Sequence, residues 1–120
     1  PGRYRIALYS SASPPSASTS AYTSVGEIAT VGTLYVNTGS AATSGWELTA
    51  SINNNTMTFE DISKTTGANE TLSAAYALIW DTLDSNKTIA FIDFGNTKTA
   101  SNGGTFTIDF PAATITATVS

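Results

Sequence analysis

The chain has no cysteine and no histidine. That excludes disulfides, a thiolate nucleophile, the usual zinc sites and the commonest acid–base group. Charge is scarce as well. Charged residues make up 12% of the 120 positions, against about 25% in an average soluble domain. Five Lys and Arg and a net charge of −4 exclude a groove that tracks a phosphate backbone, so no nucleic-acid partner is expected. No run approaches the roughly 18–20 apolar residues of a membrane-spanning helix, and no membrane partner is expected. No basic stretch leads into an apolar run, as it would in a signal peptide. Pro1-Gly2 reads as a mature start left after removal of a Met. The length suits one domain, residues 1–120.

What is present is hydroxyl and methyl. About three residues in ten are Ser or Thr, and between Arg5 and Glu60 the only charged residues are Glu27 and Glu47. Interface cores lack charge in the same way, so the first half reads as surface that meets other protein. A neutral surface solvated by hydroxyls fits the composition equally well.

The ordering signal is alternation with a period of two, the mark of half-buried strands. In residues 3–9, Tyr4, Ile6 and Leu8 share one face, and Arg3, Arg5, Ala7 and Tyr9 share the other. Residues 11–20 form a Ser/Pro-rich loop or arm around Pro14-Pro15, where two backbone donors are missing. Residues 33–36 read as a short strand. Residues 46–52 and 56–59 read as a hairpin turning on Asn53-Asn54-Asn55. Residues 60–71 read as a loop or one helical turn. Strands are expected at residues 74–81, 88–94, 105–110 and 115–119, the second of these central because it is apolar on both faces. Residues 95–104 read as a long polar loop. The sum is an all-β chain of about eight strands, an antiparallel β-sandwich of jelly-roll-like character.

Catalytic chemistry finds little support. Asp93-Phe94-Gly95 matches a kinase triplet without the other kinase motifs, and Asp93 is expected to bond a neighbour. Asp81 with Asp93, or Glu47 with Glu60, could form a carboxylate pair, but nothing in the sequence fixes their separation. Asp81, Asp84, Ser85 and Asn86 crowd one turn and form the best cation candidate; a solvated turn explains them better. Asn54, Asn69 and Asn86 open glycosylation-type triplets that carry no weight without a secretory signal. No enzyme activity, cofactor or metal is expected. Interface candidates are Arg3, Arg5, Tyr9, Pro14, Pro15, Tyr22 and Tyr35. Tyr offers large area with a polar handle, and Arg pairs with a partner's carboxylates. Trp46 and Trp80 are expected in the core.

Several segments carry a resemblance. They are Tyr4-Arg5-Ile6-Ala7-Leu8-Tyr9-Ser10, Ala21-Tyr22-Thr23 through Gly26-Glu27-Ile28, Ala75-Tyr76-Ala77-Leu78-Ile79-Trp80-Asp81, Ala90-Phe91-Ile92-Asp93-Phe94-Gly95, and the run from Lys98 to Pro111. Together they resemble a family of small structural proteins of tailed bacteriophages. The resemblance implies a non-enzymatic virion component, foremost a head decoration or cement protein. Such a protein sits on the capsid exterior as a homotrimer and clamps the major capsid protein. The alternative it leaves open is a tail, head-fibre or baseplate element that contacts host glycans through Tyr22, Tyr35 or Trp46.

Overall fold

The computed structural model describes residues 3–53, 56–110 and 115–116. Among them the chain is all-β and antiparallel, without a helix. Nine strand segments are formed: β1 Tyr4–Tyr9, β2 Trp46–Leu48, β3 Ala50–Asn53, β4 Thr56–Phe59, β5 Ile62–Thr65, β6 Thr71–Asp81, β7 Lys87–Ser101, β8 Thr105–Ile108 and β9 Ile115–Thr116.

The first layer is a four-stranded sheet in the order β2-β1-β6-β7. β1 is at its centre because every one of its six residues can be buried, and every one is. Tyr4, Ile6 and Leu8 point into the space between the layers, as the alternation predicts. The second layer runs along β4 and β5, which pair with β9 and β8 respectively, while β3 pairs with the outer side of β4. Phe59, Ile62, Phe106 and Ile108 from this layer meet Ile6, Leu8, Leu72, Ala77 and Ile79 from the first in one core. The layers form a sandwich and not a closed barrel.

The stretch predicted as one strand at residues 46–52 is two. β2 pairs with β1 in the first layer, and β3 pairs with β4 in the second. The Thr49 carbonyl between them accepts the Glu60 amide at 2.9 Å instead of a β1 donor. This crossing strand closes one side of the sandwich. Among the described residues, the other side ends in β7 of the first layer and β8 of the second. These two strands are joined by a tight turn, where Gly104 N–H donates to the Ser101 carbonyl.

Four other expectations are corrected. Residues 95–104 are not a long loop: after an irregularity at residues 94–97, β7 resumes pairing with β6, Lys98 opposite Ala74 and Ser101 opposite Thr71. Only Ala100 marks a core face there, too weak a signal among hydroxyls. Residues 62–65 form β5, again with one apolar residue, Ile62, turned inward. Residues 33–36 are no strand; Val31 and Tyr35 close a turn that the buried Tyr35 ring anchors. Residues 88–94 are the edge of their sheet, with β1 and β6 central. Asn54, Asn55, Ala117 and Val119, which completed the predicted turn and last strand, lie outside the described residues, as do Pro1 and Gly2.

Candidate interaction surface and the clasp behind it

The face of β1 that carries Arg5, Ala7 and Tyr9 is the one on which the sequence places the interface candidates Arg5 and Tyr9. It is buried. The reason is the segment 10–45, which has too little hydrophobic periodicity to form strands of its own and lies across this face. Trp80 and Leu78 from β6 complete an apolar patch beneath it, and Tyr22 and Ala41 cover that patch. The Trp80 indole N–H donates to the Ala41 carbonyl at 3.0 Å, and the Tyr22 ring lies 4.5 Å from the indole.

This covering segment decides where the predicted interface residues stand. Tyr35 and Tyr9 are fully buried, and Arg5 nearly so. The Arg5 guanidinium donates to the Ser44 carbonyl at 2.9 Å and the Gly45 carbonyl at 3.2 Å, and lies 3.6 Å from Glu47. The Tyr9 hydroxyl donates to the Thr23 carbonyl at 2.7 Å. Pro15 is buried too, so the arm folds back on its own chain. Gly26 faces Ser13 so closely that a Cβ there would overlap the Ser13 carbonyl. Arg5, Tyr9, Pro15 and Tyr35 are thus corrected: none of them offers its side chain to a partner. Pro14 and Arg3 stay exposed, and Tyr22 is half-buried. Arg3 grips the Asp81 carboxylate with Nε at 2.9 Å and Nη2 at 2.8 Å. That hydrogen bond holds the Asp81 carboxyl below its ordinary 3.8. Its stabilisation is therefore complete above 3.8 and is lost as the pH falls through the lower, folded value.

The weighed chemistry resolves simply. Asp93 lies opposite Tyr76, five residues along β6 from Asp81. At about 3.4 Å per residue the two carboxylates are roughly 17 Å apart. Asp93 accepts the Gly95 amide at 2.8 Å, as a strand residue bonding its neighbour. Glu47 and Glu60 do line one shallow depression of about 180 Å³, with Asp61 and Lys64, and Glu47 is half-exposed there. In the 82–86 turn Asp84 is exposed with Lys87 3.9 Å away, while Asp81 belongs to Arg3. Among the described residues no group of three or more acidic side chains is arranged to hold a metal ion.

Two features stand out, and the sequence named neither. The first is a clasp on the covering segment. Glu27 is the sole charged residue between Arg5 and Glu47. Its Oε1 accepts the Tyr22 hydroxyl at 2.5 Å and its Oε2 the Tyr35 hydroxyl at 2.7 Å. Burial pushes the Tyr22 phenol up to about 12 and the Tyr35 phenol higher still, so both remain donors across the neutral range. A lone carboxylate in a neutral segment with tyrosines five residues before it and eight after was the available signal.

The second is the open side of the sandwich. Between the β7 and β8 edges lies a groove of about 650 Å³. Ala90, Ile92 and Phe94 form one wall, and Phe106, Ile108 and Phe110 the other. Phe94 meets Phe106 edge to face at 6.1 Å, and the Asp61 carboxylate fixes Phe110 by accepting its amide at 2.7 Å. Lys98 and Asp109 stand on the rim among threonines. The alternation of residues 105–110 marked this face as apolar. That it opens to solvent follows from the strand order, which no local pattern encodes. Such a groove can seat apolar side chains, and its flanking strand edges carry backbone donors and acceptors on the side away from β6 and β5. Compared with family models, curated proteins and solved structures, the chain matches none.

Proposed function

We propose that the chain is a non-enzymatic structural protein of a phage particle, a decoration or cement protein. On this reading it self-associates as a homotrimer on the capsid exterior and packs against the major capsid protein. The observation that carries the reading is the open side, where the apolar core reaches the surface between two strand edges. A sandwich closed on one side by a crossing strand and open on the other gains most from a protein neighbour.

The covering segment adds support. Its one charged residue, Glu27, is held by two tyrosines of its own chain, so residues 6–46 present hydroxyls and methyls outward. Such a surface can lie flush against another protein with little charge to desolvate. The glycan-binding alternative is weakened by the burial of Tyr35 and Trp46.

Light scattering on the purified chain tests the self-association. The expected mass is three times the 12.4 kDa of one chain. Thr107→Glu places a charge at the lip of the groove, on the outward face of β8, without touching the buried core, since Thr107 is exposed and alternates with the buried Phe106 and Ile108. It should return the mass to 12.4 kDa at an unchanged unfolding midpoint. A wild-type chain that stays monomeric at high concentration contradicts the reading.

A further inference from the structure

The turn that joins β7 to β8 requires a particular pair of residues, and that pair carries a chemical weakness. Gly104 N–H donates to the Ser101 carbonyl at 2.9 Å, and between them φ is +50° at Asn102 and +87° at Gly103. Two successive positive φ angles make the tight hairpin turn that Asn-Gly fills best. Asn tolerates the left-handed region through its short polar side chain, and Gly has no Cβ to clash. The sequence holds no other Asn-Gly.

The same dipeptide is the one most open to attack by its own backbone. With no Cβ on the second residue, the Gly103 nitrogen can reach the side-chain carbonyl carbon of Asn102. The new N–C bond closes a five-membered succinimide, and the side-chain nitrogen leaves as ammonia. Water then opens the ring at either carbonyl, giving Asp or isoaspartate, with nothing oxidised or reduced. Asn102 and Gly103 are both exposed, so water reaches them.

The fold opposes the first step at both reacting groups. Gly103 N–H donates to Thr66 Oγ1 at 3.1 Å, and Asn102 Oδ1 accepts the Asn69 amide at 3.0 Å. The nitrogen must lose that proton to attack, and the side chain must leave Asn69 to meet it. Thr66 is buried directly after β5 and holds the turn a second way. Its hydroxyl donates to the Gly104 carbonyl at 3.0 Å, and its amide to the same oxygen at 2.8 Å. The Asn102 amide donates to the Glu70 carbonyl at 3.0 Å, one step beyond the Thr71–Ser101 pair.

We propose that Asn102-Gly103 is a site of spontaneous deamidation in this chain, and that Thr66 is the positioning residue that holds the reaction off while the domain is folded. Conversion to isoaspartate adds one carbon to the backbone of the turn. The strands it joins are the two walls of the open groove, so the modification acts on their spacing. The proposal is independent of the phage role.

Incubation of the full chain at mildly alkaline pH and room temperature tests it. Tryptic digestion and mass spectrometry of the peptide that starts at Thr99 then read the exchange of amide for acid. The folded chain should convert more slowly than the same chain unfolded in urea. Thr66→Val keeps the shape and removes the hydroxyl; it should speed conversion by about two- to tenfold, the factor that one hydrogen bond is worth. Thr66→Ser, which restores the hydroxyl, should convert at the wild-type rate. Urea melts give the unfolded fraction of each variant. The Thr66→Val rate should exceed that fraction multiplied by the rate of the unfolded chain, as a locally opened turn requires. Equal rates for folded and unfolded wild type overturn the proposal. So does a Thr66→Val rate equal to wild type or to that product, or a Thr66→Ser rate as fast as Thr66→Val.

Discussion

Trp80→Ala is expected to lose about 3–5 kcal/mol of folding stability, the range for deleting a large aromatic from a packed site. Trp80 is fully buried near the end of β6, a strand hydrogen-bonded on both edges, so the backbone around it cannot collapse into the gap. The loss has two parts. Tyr22 and the Ala41 stretch lose the ring they pack on, and the Ala41 carbonyl loses its indole donor. Trp80→Phe separates them: it keeps most of the ring area and removes the donor, and should cost about 1–2 kcal/mol more than the change in size alone. Urea unfolding of both variants gives the numbers. Limited proteolysis of Trp80→Ala should cut first within residues 10–45, since the segment loses the surface it lies on. A loss below about 1 kcal/mol would mean that this face of the sheet is not covered in solution.

The second large effect is expected at Gly45, where the covering segment returns into β2. Gly45 adopts φ +72°. A Cβ there would overlap the Ile6 carbonyl oxygen, and Ile6 lies in β1, paired with β2 on one edge and β6 on the other. Neither side can yield cheaply. Left-handed strain costs about 1–2 kcal/mol for an alanine, and forcing extra volume into a packed site about 1–3 kcal/mol. Gly45→Ala should therefore lose about 2–5 kcal/mol in total. Gly39 is the internal control. Its φ is +73°, but nothing lies within 4 Å of the position its Cβ would take. Gly39→Ala should show the strain alone. Equal losses at the two positions would show that the close approach of Gly45 to β1 is absent in solution.

These two sites also mark where reading the sequence succeeds and where it stops. Strands with bulky residues at every second position, such as β1 with Tyr4, Ile6 and Leu8 and β8 with Phe106 and Ile108, were legible because those residues share the face turned to the core between the layers. β5 and the second half of β7 were not, because each turns in a single apolar residue, Ile62 or Ala100, among serines and threonines that suit strand or loop equally. The largest misreading was of Arg5 and Tyr9, assigned to a free face. Local alternation tells which residues share a face; it does not tell that thirty or more residues of hydroxyl-rich chain will return to cover it. The clasp and the groove were hidden for the same reason. Both depend on long-range pairings, Tyr35 with Leu8 and the separate partnering of β7 and β8, which leave no trace in neighbouring residues.

The proposed role is tested most directly by locating the chain in an intact particle through a reconstruction fine enough to resolve its two layers. The proposal predicts density for the domain on the outer shell, with the Phe94–Phe106 groove covered by a neighbouring protein and the Glu27 face intact. A domain missing from the shell, or one seated there with that groove open to solvent, would contradict it.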